Sequence, residues 1–292
     1  MLTIFSIPKS FKNSHINTIQ RNAIQSWLKL RPKCEVILFG NEDGTAKVAT
    51  ELGLWHVPEI EINEFGTPLL NWAFNFTQKI AKNNALVYVN ADIILMPDLI
   101  KSVQQINKLN NPLFLMGGRR WDLDINKEIN FNKVDWEREV RYMIREKGVL
   151  HGFSGIDYFV FPKNLPHNLP DFAVGRVGWD NWLIYHIRSL RIPVIDATEA
   201  ITIVHQSHGF FHSKFGDEKR KRIEGPELVK NIKLAGGFAN MGTLREADWI
   251  LTSQGFKKPP LSRRIFAKLS LFYPWRLILA LKRKCQTWLW EK

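Results

Sequence analysis

The chain has 292 residues, 45% hydrophobic and 24% charged, a globular composition long enough for one large or two small domains. Its formal net charge of +13 is local: residues 257–292 hold ten Lys or Arg and one acidic residue, leaving +4 for the rest. A near-neutral body with a basic tail excludes a general nucleic-acid binder.

Cys34 and Cys285 stand far apart in sequence and fit a reduced, cytoplasmic setting. The start, Met1 to Pro8, lacks the charged opening and long apolar run of an export signal. No stretch reaches the roughly 18 unbroken apolar residues of a spanning helix, so the expectation is a protein not integral to a membrane. Eleven Trp and nineteen Phe could serve carbohydrate faces, although most aromatics fill cores.

Leu2 to Ile7 reads as a buried strand stopped by Pro8. Ile19, Ala23, Ile24, Trp27 and Leu28 then recur at helical spacing, predicting a helix over Asn17 to Leu30. Glu35 to Phe39 is a second buried strand, and Asp43 to Leu52 a helix closed by Gly53. Thr67-Pro68 supplies a cap and a first-turn proline for a helix reaching about Lys82. Ala85 to Val89 is a third strand, Pro97-Asp98 opens a helix to about Leu109, and Pro112 to Met116 is a fourth strand. This alternation predicts an α/β fold with a mostly parallel central sheet flanked by helices. Ligands in such sheets bind beyond the carboxyl ends of the strands, which singles out the residues just after each one.

The rhythm changes after Arg119. Residues to Asn132 are polar and irregular, Asp135 to Lys147 is a charged helix, and Ile156 to Phe161 is a strand. Gly178-Trp179-Asp180 precedes a helix to about Leu190, followed by short strands at Val194-Ile195 and Ile201 to Val204. From Pro259 the composition turns basic and aromatic. There is no Walker loop, no G-x-G-x-x-G, no serine nucleophile elbow and no Cys-x-x-Cys, which removes several standard enzyme readings.

Three short segments carry chemistry. Asn90-Ala91-Asp92 ends a buried strand with an amide and a carboxylate on the same side, a pair suited to a ribose and a divalent metal on a diphosphate. Asp180, between Trp179 and Trp182 at a helix start, suits a general base in a sugar cleft or, alternatively, plain N-capping. His205-Gln-Ser-His208 follows the last strand, where an imidazole can complete a metal site or serve structure alone.

In this order the segments resemble the GT-A glycosyltransferases, particularly the family 2-like bacterial and viral enzymes, over roughly residues 1–215. Asn90-Ala91-Asp92 is similar to that fold's D-x-D motif with Asn in the first position, a departure that should weaken but not abolish metal binding. The resemblance implies a nucleotide-diphosphate sugar donor held by Pro8, Phe11, Asn41, Glu42, Asn71, Asn90 and Ala91. It implies Mn²⁺ or Mg²⁺ on Asp92 with His205 or His208, and Asp180 as the base that deprotonates an acceptor hydroxyl with inversion. Arg119, Arg120, Trp121, Asp157, Trp179 and Trp182 are placed on the acceptor side, the acceptor being a glycan or a lipid-linked sugar.

The expected division is a catalytic domain over 1–256, with a donor half (1–117) and an acceptor half (118–256), and a basic amphipathic helical tail over 257–292. The tail, with Ile265, Phe266 and Leu269 against Arg263, Arg264 and Lys268, suits an anionic membrane surface or a helix packed on the domain. Two other readings remain. A sugar-phosphate nucleotidyltransferase would need a Gly-rich, Arg-bearing loop where Ile7-Pro-Lys-Ser-Phe11 stands, and a non-enzymatic carbohydrate-binding protein would explain Asn90.

Overall fold

A computed structural model describes residues 1–106, 112–207, 225–272 and 274–281. Its centre is a nine-stranded sheet built from β1 (Leu2–Ser6), β2 (Glu35–Phe39), β3 (Trp55–Val57), β4 (Ala85–Val89), β6 (Leu115–Gly117), β9 (Tyr158–Pro162), β10 (Val194–Asp196), β12 (Trp249–Thr252) and β13 (Gly255–Lys257). Their order is β13-β12-β10-β6-β9-β4-β1-β2-β3. The ladders are parallel except where β9 runs against β4 and β6 and where β13 folds back on β12. The mostly parallel, helix-flanked sheet expected from the sequence is therefore the observed architecture.

Both faces of this sheet are covered, which is why its strands read as continuous apolar runs. Ile4, Val36, Leu38, Val87, Val89, Val160 and Ile195 point to one side. There they meet Ala23, Ile24 and Trp27 of α1 (Ser14–Leu28), Val48 and Ala49 of α2 (Thr45–Leu52), and Leu99 and Val103 of α4 (Asp98–Ile106). Phe5, Ile37, Phe39, Tyr88, Phe159 and Phe161 point to the other, against Phe74 of α3 (Leu70–Ile80) and Trp179, Leu183 and Ile187 of α6 (Trp179–Ser189). The period-two alternation of a strand divides the two sets.

A second sheet of four short strands, ordered β5-β11-β7-β8, was not foreseen. It comprises β5 (Ile93–Leu95), β7 (Trp121–Leu123), β8 (Val149–Leu150) and β11 (Ile203–Gln206), and its outer side packs Ile94, Leu123 and Val204 on Trp136, Val140 and Ile144 of α5 (Trp136–Lys147). The segment after Arg119, expected to be irregular, thus contains a strand.

Two helix starts differ from expectation. The first helix begins earlier, because the Asn13 side chain accepts from His15 N and Ile16 N and caps it there. Thr67-Pro68 does not open the third helix: Pro68 and Leu69 form bridges to Ile62 and Ala173, and the helix starts at Leu70. Pro68 is thus spent on an extended turn, the conformation its fixed φ also favours.

After α7 (Pro226–Leu234), the β12–β13 hairpin crosses the expected boundary at residue 256. The following α8 (Leu261–Leu269) docks on the domain. Arg188, itself buried, reaches Ala267 O (3.0 Å) and Ser270 Oγ (3.1 Å), and Arg263 pairs with Asp196 at 3.0 Å. Residues 274–281 are helical, and the rest of the predicted tail lies outside the described residues. Among the described residues no helix is long and apolar enough to cross a membrane.

Candidate active site

A cavity of about 360 Å³ opens beyond the carboxyl ends of β1 and β4, where a parallel sheet places its ligands. Pro8 and Lys9 follow β1, Glu42 follows β2, and Asn90, Ala91 and Asp92 follow β4; Thr67 and Arg176 close the far side. A hollow of about 430 Å³ at the other end of the strands, between Met1, Lys82 and Ile100, brings no acid or imidazole together. The loop after β1 is held in place by an amide embrace: buried Gln20 accepts from Lys9 N (2.7 Å) and donates to Lys9 O (2.9 Å).

The small sheet assembles the chemistry at the edge of this cavity. In its register His205 of β11 stands opposite Ile93 of β5 on one side and opposite Asp122 of β7 on the other. Asp92 immediately precedes Ile93, so one strand pairing brings it to His205: Nε2 of the imidazole lies 3.7 Å from Asp92 Oδ2. Gln206, fully buried, locks the junction by donating to the carbonyls of Asp92 (3.0 Å) and Ile19 (2.7 Å).

His205 Nδ1 donates to Asp122 Oδ1 at 2.9 Å. That bond keeps a proton on Nδ1 and turns the Nε2 edge of the ring toward Asp92. The same carboxylate accepts from His151 Nδ1 (2.8 Å) and Arg120 Nε (2.8 Å). Burial alone would push the Asp122 carboxyl up. The hydrogen bonds from His151 and His205, together with the Arg120 charge, overcome this and hold it well below the usual carboxylate range.

Beneath Asn90 lies a second buried group. Asn90 Nδ2 donates to Asp157 Oδ1 (2.7 Å), whose other oxygen pairs with Arg120 at 2.6 Å. Tyr88 donates its hydroxyl to Asn90 Oδ1 (3.0 Å), so the amide is fixed with its oxygen toward the phenol and its nitrogen toward the carboxylate. Burial, then the charges of Asp157, Asp92 and Asp180 in that order, push the Tyr88 hydroxyl far up.

Asp180 is not an N-cap. Gly178 takes that position at φ 110°, without a side-chain cap, and Asp180 lies in the first turn of α6, where the helix dipole favours a carboxylate.

The other predicted residues separate clearly. Pro8, Glu42, Asn90 and Ala91 line the cavity with Asp92. Phe11 is buried, tied through its N–H to Asp43 O at 2.7 Å, and packs on Gly44, where a Cβ would come within 2.8 Å of it. Asn41 is exposed and does not line the cavity, and Asn71 donates to Asp171 (2.7 Å). Arg119 donates to His151 O (2.6 Å) and lies over the Phe153 ring. Trp121 packs partly buried above α5. Trp179 and Trp182 are in the core, Trp179 edge-on to Tyr88 and Trp182 stacked on His186. His208 lies outside the described residues.

Sequence reasoning missed Asp122, His151, Lys9, Gln20, Thr67 and Arg176. Arg176 makes two bonds from Nε (2.9 Å) and Nη2 (2.6 Å) to Glu227, which also accepts from Asn63 (2.8 Å). Both pairing strands that gather Asp122 and His151 are three residues or shorter, too short for a periodic signal.

Among the described residues no group of three or more His, Cys, Asp or Glu forms a ready metal cage. Mg²⁺ and Mn²⁺ on nucleotides rarely use one; a carboxylate or two plus phosphate oxygens and water suffice. Two ligands each about 2.1 Å from one ion stand roughly 3 to 4 Å apart. Asp92 and His205, at 3.7 Å with the imidazole oriented by a carboxylate, fit such an ion.

No family model and no curated protein matches the chain. Solved structures resemble it in outline. One is a Desulfovibrio desulfuricans G20 protein described as a nucleotide-diphospho-sugar transferase, with TM-score 0.40, 12% identity, and 80% of this chain and 96% of that one covered. Another is glucosyl-3-phosphoglycerate synthase from Mycobacterium tuberculosis with Mn²⁺, UDP and glucosyl-3-phosphoglycerate, at 0.48 and 15%, covering 81% and 80%. S. aureus TarS with UDP-GlcNAc follows at 0.46 and 12%, covering 80% and 70%.

Proposed function

We propose that the chain is a metal-dependent glycosyltransferase, moving a sugar from a nucleotide-diphosphate donor to a hydroxyl of a glycan or lipid-linked acceptor. The observation that carries this reading is the Asp92–His205 pair, oriented by Asp122, at the mouth of the cavity beyond β1 and β4. A bound Mn²⁺ or Mg²⁺ would neutralise charge on the departing nucleoside diphosphate.

The chain's own residues divide the remaining work. Pro8, Glu42, Asn90 and Ala91 line the wall for the nucleoside, and Lys9 is the cation of that cavity for phosphate oxygens, Arg176 being already paired with Glu227. Asn90 replaces the carboxylate of a D-x-D motif without loss of order, because Tyr88 and Asp157 hold both ends of its amide. Asp180, in the first turn of α6 behind Gly178, is the base we assign to the acceptor hydroxyl; it stands outside the lining of the cavity itself. A hydroxyl activated by Asp180 and attacking opposite the diphosphate would invert the anomeric carbon. Cys34, buried, with burial first pushing its thiol up to about 11, is a core residue compatible with a reduced cytoplasmic setting.

The reading is tested by thermal shift with nucleoside diphosphates and nucleotide sugars, with and without Mn²⁺ or Mg²⁺. A ligand at 100 times its dissociation constant should stabilise the wild type by roughly 2.7 kcal/mol, and Asp92→Ala should lose the metal-dependent part. Wild-type protein unmoved by every nucleotide in both metals would sink the proposal.

A further inference from the structure

A helix lying on a globular domain normally turns its apolar face inward and its charges outward. α8 keeps Ala267 and half-buried Phe266, with Arg245 over its ring, against the domain, yet turns its large aliphatic side chains outward. Its docked side is formed by Arg263, Ala267 and Ser270, through the bonds to Asp196 and from Arg188 described above. Leu261, Ile265 and Leu269, spaced four residues apart on the opposite side, are 67%, 50% and 38% exposed. Arg264 and Lys268, both exposed, flank that stripe along one edge. The apolar surface continues past the helix with Phe272 at 61%, and with Leu277, Ile278 and Leu281 on the helical residues 274–281.

The polar anchoring matters. An apolar stripe that merely lacked a partner could roll inward, but the Arg263 and Arg188 bonds fix the helix with its Leu and Ile outward. We infer that this face, Leu261 to Leu281, is a docking surface for an anionic lipid bilayer. The inference stands independently of the catalytic reading.

Charge selects the occupant. Between residues 257 and 281 the chain has six Lys or Arg and no Asp or Glu. A second copy of the chain would bring the same sign to the contact. A nucleic acid would use the charge yet leave the aliphatic stripe in water. A bilayer with acidic headgroups takes both: side chains enter the headgroup–acyl boundary while Arg264 and Lys268 stay at phosphate level.

The experiment is co-sedimentation of the full chain with vesicles of phosphatidylcholine alone or mixed with phosphatidylglycerol. Wild type should pellet with the mixed vesicles, weakly with phosphatidylcholine, and less as salt is raised. The double variants Ile265→Glu/Leu269→Glu and Arg264→Glu/Lys268→Glu change exposed side chains only, so their melting should match the wild type. Each should bind roughly tenfold more weakly or worse. Wild type remaining in the supernatant with acidic vesicles would overturn the inference, as would undiminished binding by the Ile265→Glu/Leu269→Glu variant. So would a wild-type dimer in sedimentation velocity that this variant dissolves while lipid binding is unaffected, which would give the face to a second copy.

Discussion

Replacing Asp122 by Ala should weaken metal and nucleotide binding without removing a metal ligand. Its carboxylate accepts three hydrogen bonds, at 2.8, 2.8 and 2.9 Å, from Arg120, His151 and His205. Arg120 keeps Asp157 at 2.6 Å in the variant, so the fold retains its buried ion pair. His205 loses the acceptor that fixes its Nδ1 proton, so the ring is held less firmly with Nε2 toward Asp92. Loss of such an outer partner typically costs 10- to 100-fold in metal affinity, about 1.4 to 2.7 kcal/mol. Asp122→Asn should be milder, since its amide oxygen can accept from Arg120 and His205 while the amide nitrogen turns to His151, whose tautomer adjusts. Titration calorimetry of Mn²⁺ with UDP, on wild type and both variants, reads the order wild type, Asn, Ala directly. An Ala variant that binds metal and nucleotide as tightly as wild type would refute the assignment of Asp122 as the residue that orients His205.

Asp180→Asn should lower turnover by roughly 10²- to 10⁴-fold, the usual worth of a general base, while the dissociation constant of the donor nucleotide stays the same; near-normal turnover would remove the base assignment. Gly178→Ala puts a side chain at φ 110° with its Cβ 3.0 Å from Met241 Cε, so urea unfolding should report a loss of about 1 to 3 kcal/mol. His167 is buried, and burial, then the nearby His186, bring its pKa down from 6.5 to about 4. The unfolded chain therefore binds the extra proton first, and stability present above pH 6.5 falls as the pH drops toward 4, by up to roughly 3 kcal/mol. Chemical denaturation across that range should lose most of this slope in His167→Gln.

Sequence patterning made the central sheet legible because its strands are buried on both faces and bounded by turn residues. Glu35–Phe39 and Ala85–Val89 were placed to the residue for that reason. The small sheet was not legible. β11 was read as a strand two residues early, but its pairing with β5 spans more than a hundred residues and carried no local signal, and β7 hides in a polar segment. The site followed the same division. Asn90 and Asp92 could be found at a strand tip. Asp122 and His151 have no local pattern, and Arg176 lies in a turn where nothing marks it out. Thr67-Pro68 shows the opposite failure, a strong helix-start signal that tertiary pairing reassigned.

The reversed strand β9 has a consequence for reach. It is the one bridge between two half-sheets, β3-β2-β1-β4 and β6-β10-β12-β13, and its ladder to β6 is a single register pair, Met116 opposite Val160. The halves also meet through side chains, Val87, Val160 and Ile195 on one face and Tyr88, Phe159 and Val194 on the other, and through β11 of the small sheet, which pairs with β5 after β4 and with β7 after β6. Within the central sheet the mutual tilt of the halves thus depends on how those side chains interlock as well as on backbone pairing. The volume of one fully buried residue, Val160, becomes a control on where the far half sits relative to the β4 edge. On this plan the setting of the cavity answers to the inside of the core, with no change to any residue that lines it.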